Sequence, residues 1–481
     1  MISFLISLVA LVMGYHIYGR VIERVFGPDD RVTPAIAHAD GVDYVAMPSW
    51  RVFMIQFLNI AGTGPIFGAI MGAVFGPAAF LWIVLGSIFA GAVHDYFCGM
   101  LSMRHDGHGV PTIVGIYLGT WMRRVMLFFC VLLLMLVGVV FVFSPAIILD
   151  DFGGTTLMWV LVIFGYYVLA TLLPVDKLIG KIYPLFAFSL IFMAIALMVG
   201  LLVKWPALPE FWNMGDLSAW IGSQVDGDGN DLLGAVAYMR KNPLFPCLFI
   251  TIACGALSGF HATQSPIMAR CLKDERMGRP VFYGAMITEG IVALVWAAVA
   301  MWFFYYGGWR EVAGPDTVQA FLEQADDEGG KTLLQYFTAP SVVNAVCNGW
   351  LGLAGGVLAI LGVVAAPITS GDTAFRSARL IIAEAFNVKQ KPIMGRLVVA
   401  LPMFIAAIGL LVWQMESPDG FNTLWQWFGW SNQTLATIAL WTTTMYLWKR
   451  GSRAWWLTLL PSLFMTVVVI SFLFVSPFAF G

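Results

Sequence analysis

The sequence predicts an all-α membrane protein that crosses a bilayer many times. Of its 481 residues, 60% are hydrophobic and only 11% are charged, whereas about a quarter of a soluble protein is charged. The mean hydropathy is +0.83, and apolar runs repeatedly reach the roughly 20 residues that a membrane helix needs. Since backbone polar groups must be paired inside a bilayer, such runs predict helices. This composition excludes soluble enzymes and nucleic-acid-binding proteins.

Proline, glycine and charged loops divide the apolar runs into predicted spans. The first run, residues 1–19, lacks the basic leading segment and the small-residue cleavage site of a signal peptide, so we expect a retained helix. Several runs exceed the minimum length, which predicts tilted or broken helices. About twelve spans are predicted, at 2–21, 51–75, 77–103, 122–148, 155–173, 179–203, 245–271, 280–306, 342–371, 393–414, 422–448 and 454–478.

The basic residues predict the orientation of these spans, because cytoplasmic loops are enriched in lysine and arginine. All but five of the 26 basic residues fall in alternate loops on one side. The five exceptions lie in two longer acidic connections, 204–244 and 307–341, which alternate to the other side: Lys204, Arg240, Lys241, Arg310 and Lys331. The asymmetry predicts that both termini and both connections are extracytoplasmic, with 307–341 as a lid-like loop.

The sequence has no motif for several kinds of chemistry. The six cysteines form no Cys-x-x-Cys pair, and most lie in apolar runs, which is typical of small buried hydrophobic residues. Phosphate-binding loops, HExxH and nucleophile elbows are absent, so we expect neither ATP-driven transport nor familiar intramembrane hydrolysis. We therefore predict no enzyme, no catalytic residue and no resident cofactor.

Two predicted spans carry glycines, hydroxyl groups and a proline at membrane depth. The second span contains NIAGTGP at 59–65, and the seventh contains GALSGFHATQSP at 255–266. Their central glycines, Gly62 and Gly259, are 197 residues apart, and the orientation predicts entry from opposite sides. Interrupted helices at matching points of two halves indicate the central site of a secondary transporter. Ordinary kinks or small-residue packing faces are the alternative.

At such breaks, freed carbonyl groups can bind a cation and the end of a half-helix can face a carboxylate. This chemistry suits a small anion or zwitterion that is moved together with Na⁺ or H⁺. The predicted substrate-binding residues are Gln56, Asn59, Gly62, Thr63, Gly64, Ser258, Gly259, Phe260, His261 and Gln264.

Ionisable residues inside the membrane are costly and mark functional sites unless they have structural partners. His261 lies within the second break and is suited to bind a substrate carboxylate or carry a proton. His94 and Asp95 in the third span, Glu289 in the eighth and Asp372 near the end of the ninth are predicted to serve ion coupling or gating. A structural role is the alternative for each: adjacent residues such as His94 and Asp95 point apart on a helix, and Asp372 can pair with Arg376 one turn on.

The segment APITS at 366–370 precedes Asp372. Thr369 and Ser370 offer hydroxyl groups next to a carbonyl one turn earlier, and hard cations take oxygen ligands. The segment therefore predicts either a Na⁺ site or a plain proline kink.

The sequence resembles the carbon starvation protein A (CstA) family of bacterial inner-membrane proteins. The resemblance runs from about residue 28 to 448. It is carried by DYV at 43–45, IAGTGP at 60–65, GAVHD at 91–95, SMRHDG at 102–107, IACGALSGFH at 252–261, DTAFR at 372–376 and FGWSNQ at 428–433.

The resemblance implies uptake of small carbon compounds, with peptides and pyruvate as the usual proposals, driven by protons or Na⁺. It also implies the leucine-transporter fold of two inverted five-helix repeats, here 51–203 and 245–448, joined by the connection 204–244. Residues 1–50 and 449–481 then carry peripheral helices. By similarity to sodium-coupled members of that fold, Na⁺ is expected to bind the carbonyl groups of Leu58, Ala61 and Ala366 and the hydroxyl groups of Thr369 and Ser370.

The sequence thus predicts a cation-coupled importer of a small carboxylate, amino acid or short peptide in the bacterial inner membrane. Its partners are the substrate, the coupling cation and the lipid bilayer. A passive facilitator or channel is one alternative, and an intramembrane metal-dependent enzyme built on His94, Asp95 and His261 is another.

Overall fold

The computed structural model describes residues 1–41, 43–150, 153–172, 175–214, 232–325, 330–390, 392–417 and 420–477, with the backbone alone at 172, 175–183 and 353–354. The predicted connection 204–244 therefore lies partly outside the described residues. Helices and turns make up the described chain, and no strand forms within it beyond a single bridge between Met47 and Leu272. Several helices begin with proline in the first turn, where its missing N–H has no intrahelical partner to lose.

The first half of the chain contains eleven helices among its described residues. They are α1 (Ile2–His16), α2 (Tyr18–Phe26), α3 (Pro34–Ala37), α4 (Ser49–Ile60), α5 (Gly64–Gly72), α6 (Pro77–Gly86), α7 (Ala92–Arg104), α8 (Val110–Leu118), α9 (Thr120–Asp150), α10 (Thr156–Leu172) and α11 (Val175–Lys204).

The second half contributes eleven more to the described structure. They are α12 (Ala235–Lys241), α13 (Leu244–Thr251), α14 (Gly259–Ala269), α15 (Gly284–Tyr305), α16 (Gly308–Val312), α17 (Pro315–Ala325), α18 (Leu333–Tyr336), α19 (Ala339–Ala385), α20 (Ile393–Glu416), α21 (Gly420–Lys449) and α22 (Trp456–Val475).

Each of the twelve predicted spans coincides with helix in the structure. Eight helical segments of the described chain are long and apolar enough to cross a membrane, and the bent pair α4–α5 makes a ninth. The other three predicted spans are the short α10, the interrupted α13–α14 and the more polar α21. An all-helical, multi-pass architecture is confirmed, while the total of twelve crossings stays a prediction.

The ninth predicted span ends too early. Helix α19 continues past the predicted end at 371 to Ala385, with one kink at Gly352, where φ is 64°. Asp372 and Arg376 therefore lie within a helix, where both are buried and Arg376 Nη2 lies 3.6 Å from Asp372 Oδ1. Their charges made the sequence resemble the end of a span, whereas the structure pairs them inside it.

Burial separates a central group of helices from a peripheral one. Within the most apolar window of each segment, 89% of residues are buried at Glu275–Tyr305 and 83% at Pro77–Arg104, against 33% at both Ile2–Phe26 and Arg453–Val475. The outer helices expose apolar side chains, as a lipid environment requires. The first and last helices are thus among the least buried, together with Pro184–Lys204 at 33%, and their assignment as peripheral additions stays a prediction.

Both predicted helix breaks are confirmed. Helix α4 ends at Ile60 and α5 begins at Gly64, with a 45° bend between the two segments. In the second half, α13 ends at Thr251 and α14 begins at Gly259.

The two broken helices run side by side in opposite directions. Contacts follow in antiparallel order along both: Met47 N–H donates to the Cys271 carbonyl at 3.0 Å, Gln56 Nε2 reaches Ser265 Oγ at 3.4 Å, and Phe75 stacks edge-on with Tyr238 at 6.2 Å. Between these points, a Cβ atom on Gly64 would lie 2.4 Å from Cys254, and one on Gly68 would lie 2.8 Å from the Thr251 carbonyl. Glycine at these positions therefore allows the two breaks to touch.

Candidate functional site

The polar groups of the second break form hydrogen bonds with side chains on neighbouring helices. Asn432 on α21 accepts hydrogen bonds at Oδ1 from the Phe260 N–H, at 2.7 Å, and from Ser258 Oγ, at 3.2 Å. This capping satisfies an N–H group that the start of α14 leaves free. Gly259 has no room for a side chain, because a Cβ there would lie 2.2 Å from the Asn432 carbonyl.

Carbonyl groups of the same break are also bound by protein donors. Trp82 Nε1 donates to the Ile252 carbonyl at 2.8 Å, Ser87 Oγ to Gly255 at 3.1 Å, and Gln433 Nε2 to Phe249 at 2.8 Å. Each of these three carbonyl groups therefore already accepts a hydrogen bond from a protein side chain. The motif FGWSNQ at 428–433 contains Asn432 and Gln433, but nothing in the sequence connects them to a break about 175 residues earlier.

The first break instead leaves polar side chains without partners. Both amide atoms of Asn59, Oε1 of Gln56, Oγ1 of Thr63 and Oε1 of Gln264 are buried and make no hydrogen bond with any described residue. Gln264 Nε2 donates to Thr263 Oγ1 at 3.0 Å and lies 3.4 Å from Ser377 Oγ. Because an unpaired buried polar group costs about 1–3 kcal/mol, these predicted substrate-binding residues have unused hydrogen-bonding capacity.

Phenylalanine side chains border this polar group. The Phe260 ring lies 6.3 Å from the ring of Phe141 on α9 in an edge-to-face arrangement. Phe141 also lies over Gly62, where a Cβ would come within 2.4 Å of the ring. The breaks thus combine unsatisfied amides with an aromatic wall.

Four buried ionisable side chains form a continuous chain of contacts, which we call the relay: His94, Asp95, His261 and Glu289. His94 Nδ1 and Asp95 Oδ1 are 2.8 Å apart, Asp95 Oδ2 and His261 Nδ1 are 2.8 Å apart, and His261 Nε2 lies 3.3 Å from Glu289 Oε2. All four side chains are fully buried. The relay joins α7, α14 and α15.

The structure corrects one expectation about the relay. His94 and Asp95 do not point apart, because their side chains bend toward each other and hydrogen bond. Asp95 thereby accepts from two imidazole rings at once. The sequence marked each residue, but only packing of three helices brings them together.

The contact between His261 and Glu289 requires a proton. Nδ1 of His261 donates to Asp95, so an unprotonated Nε2 would direct its lone pair at the Glu289 carboxylate. A proton on Nε2 or on Glu289 turns this repulsion into attraction. The contact lies at 3.3 Å, and neither Glu289 oxygen has a well-aligned hydrogen bond to a described residue.

The predicted Na⁺ ligands come together only in part. Ser370 Oγ lies 3.2 Å from the Leu58 carbonyl and 2.9 Å from that of Asn59, which joins α19 to the end of α4. Thr369 Oγ1 lies 2.9 Å from the Ala366 carbonyl. Ala61 lies at the first break, where its N–H donates to Phe57. These oxygens suit a hard cation, although both hydroxyl groups now donate to helix carbonyls.

Asp372 does not join the relay. It faces Arg376 on its own helix, and Tyr166 on α10 donates to its Oδ2 at 3.4 Å. Arg376 Nη2 in turn donates to the Ala170 carbonyl at 2.6 Å. Asp372 therefore takes part in the contact between α19 and α10.

A cleft opens beside α14, about one to three turns from the second break. Its walls come from α8, α14 and α19, and its polar lining residues are Thr263, Arg270, Ser377 and Glu384. Thr263 and His261 lie about 200° apart around the helix axis. The relay and the cleft thus occupy opposite faces of α14. Apart from Thr263 and Pro266, which belong to the segment 255–266, the residues of this cleft are ordinary in their local sequence context, so no pattern predicted it.

Solved structures with the same fold are transporters. One is the Eremococcus coleocola manganese transporter in complex with an aromatic bis-isothiourea substituted compound, with a TM-score of 0.52, 13% identity and 90% of each chain covered. A mutant of the same transporter gives a TM-score of 0.54 with 12% identity and the same coverage. At this identity the likeness establishes the fold alone.

Relatives in sequence cover most of the chain. The peptide transporter CstA of Escherichia coli is 26% identical over 97% of this chain and 79% of its own length. That of Campylobacter jejuni is 27% identical over 95% and 77%. An uncharacterized membrane protein of Haemophilus influenzae is 45% identical over 63% of this chain and 91% of its own length.

These names confirm the expectation of a membrane transporter rather than an enzyme. The family model described as carbon starvation protein CstA matches residues 1–149 and 142–471. The chain belongs to the CstA family.

Proposed function

We propose that this protein is a proton-coupled secondary transporter that imports short peptides across the bacterial inner membrane. Amino acids and small carboxylates are the alternative substrates, and transport assays should compare them with peptides. The observation that carries the proposal is the relay, a fully buried path of four ionisable groups that includes the second helix break. Ionisable groups at membrane depth are typical of proton pathways.

A single proton changes the contacts of α14 within the relay. With His261 doubly protonated, the imidazolium binds Asp95 and Glu289 at once and draws α14 toward α7 and α15. When the proton leaves, the contact with Glu289 is lost. Histidine changes charge near neutral pH in its unperturbed state, so it suits this exchange.

Helix α14 provides the connection between proton and substrate. Its relay face holds His261, and its opposite face lines the cleft with Thr263. A shift of α14 driven by the relay therefore changes the width of the cleft. This geometry supports alternating access, in which proton binding and substrate release are linked through one moving half-helix.

The antiparallel broken helices support the proposed layout of two inverted repeats, 51–203 and 245–448, in the manner of the leucine-transporter fold. In that layout, both termini are extracytoplasmic and the ends of α7 and α14 face the cytoplasm.

Peptides are favoured over pyruvate as the substrate. Each ion pair of the relay joins a histidine to a carboxylate, so the relay has no surplus of positive charge to bind a free anion.

Sodium coupling is the second candidate. The approach of Ser370 Oγ to the Leu58 and Asn59 carbonyls favours it, since these oxygens join α4 to α19. A bound Na⁺ would be held by the carbonyls of Leu58, Ala61 and Ala366 with the hydroxyls of Thr369 and Ser370, and it would stabilise the end of α4.

Transport into liposomes tests the proposal. Purified protein is reconstituted, and uptake of labelled dialanine is followed under an inward proton gradient, under an inward Na⁺ gradient and with neither. We expect accumulation above the external concentration under the proton gradient only, abolished by an uncoupler. Glu289→Gln should abolish accumulation, while Glu416→Gln, which changes an exposed carboxylate at the end of α20, should not.

Other outcomes separate the alternatives. Uptake that never exceeds equilibrium indicates a facilitator. Accumulation driven by Na⁺ and lost in Ser370→Ala favours sodium coupling, and inhibition by excess pyruvate as strong as by dialanine would refute the preference for peptides. Absence of gradient-driven uptake of any peptide, amino acid or carboxylate would refute the proposal.

A further inference from the structure

The cleft beside α14 combines opposite charges with a polar floor and apolar walls. We propose that it is a second substrate site that binds a zwitterionic peptide, with Arg270 facing the carboxylate and Glu384 facing the ammonium group. This inference rests on the proposed function and adds a site nearer the basic end of the molecule than the breaks.

Arg270 is positioned but not neutralised. It follows the last residue of α14, its Nε donates to the Gly107 carbonyl at 2.8 Å, and its guanidinium lies 5.2 Å from the centre of the Tyr44 ring. Within the described chain, no carboxylate lies at ion-pair distance from it and its Nη groups make no hydrogen bond. These Nη groups can therefore donate to a carboxylate in the cleft, in the bidentate manner that guanidinium groups favour.

Glu384 supplies the opposite charge from α19. Its carboxylate accepts a hydrogen bond from Thr112 Oγ1 on α8 and lies 3.7 Å from His108 Nδ1. The side chain is 32% exposed, so one oxygen remains accessible to a ligand while the other is fixed. His108 is the only titratable described group in direct contact with it, and that ring is half exposed.

The floor of the cleft offers hydrogen bonds suited to a peptide group. Thr263 and Ser377 line it, and the adjacent Gln264 is fully buried with an Oε1 that lacks a partner in the described structure. Ile267 and Ile381 supply apolar walls for small side chains. In this conformation the cleft encloses only about 20 Å³, so it must widen to admit a peptide, as a shift of α14 would allow.

The position of the cleft gives it a role in transport. It lies on the face of α14 opposite the relay, so movement of α14 changes both the contacts of the relay and the width of the cleft. A peptide leaving the breaks would pass Gln264 and Ser377 first and reach the charged pair next. The second site would then hold the substrate before release.

Binding measurements with charge-blocked peptides test this site. Affinities of purified protein in detergent for dialanine, dialanine amide and N-acetyldialanine are compared by competition with labelled dialanine. In the unsubstituted protein, each blocked peptide should bind about tenfold more weakly, as loss of a charged hydrogen bond implies. R270Q should bind the amide and the free peptide equally, and E384Q should bind the N-acetyl and free peptides equally.

Controls separate this inference from the proposed function. R310Q removes an exposed arginine on α16 and should keep both preferences. If R270Q does not fold, the E384Q comparison decides alone. Preferences that survive in both variants, or affinities that fall equally for all peptides, would overturn the second site. If the binding results overturn the second site but the protein still takes up peptide under a gradient, the proposed function stands without a second site.

Discussion

Replacing His261 by glutamine should destabilise the protein through one unpaired carboxylate. In the structure, His261 contacts Asp95 at 2.8 Å and Glu289 at 3.3 Å, and all three side chains are fully buried. Asp95 keeps its hydrogen bond to His94 in the variant, so Glu289 is the carboxylate that loses its ion-pair partner. Breaking a buried ion pair costs about 3–5 kcal/mol, and the retained His94 contact places our expectation near the lower end, about 3 kcal/mol.

The double variant His261→Gln with Glu289→Gln tests this reasoning. Because it removes the unpaired charge as well, its loss of unfolding free energy should be about 2 kcal/mol smaller than the sum of the two single losses, within the range for residues in contact. Unfolding in mixed detergent micelles measures each value, and His16→Gln at the exposed end of α1 is the matched control. Losses that simply add would refute a direct interaction between His261 and Glu289.

Three further changes probe the breaks and the end of α7. Asn432→Ala should cost about 1–2 kcal/mol of unfolding free energy because the Phe260 N–H loses its acceptor, whereas Asn432→Asp should retain most stability. Gly64→Ala should destabilise by about 1–3 kcal/mol because its Cβ would lie 2.4 Å from Cys254. Cys254→Gly in the same chain should recover part of the loss, and no recovery would contradict the proposed contact. Glu275→Gln should cost about 1–3 kcal/mol, because the arginine at the end of α7 donates two charged hydrogen bonds to this buried carboxylate. The same unfolding assay checks all three, and a change below about 0.5 kcal/mol would count against the contact concerned.

Sequence alone located the long helices and the two breaks. Long apolar runs admit few structures in a bilayer, so each predicted span proved helical. Glycine and proline at 59–65 and 255–266 cannot continue a regular helix without cost, and the chain indeed leaves the helix after Ile60 and Thr251. Local composition is sufficient for such features because the bilayer removes the alternatives.

The tertiary structure decided which polar groups are satisfied and by what. Asn432 closes a break about 170 residues away, Asp372 pairs with Arg376 instead of joining the relay, and His94 bends toward Asp95. No local pattern encodes these partners, since they depend on which helix faces meet. The cleft likewise requires three helices that are far apart in sequence.

The sequence thus determined that this is a many-helix membrane protein with two interrupted helices, because hydrophobicity and backbone freedom act within a few turns of chain. Only the tertiary structure decided that His94, Asp95, His261 and Glu289 form one relay and that a cleft lies on the other side of the same half-helix. Hydrogen bonds and ion pairs act over about 3 Å, so their pattern exists only once the helices are packed.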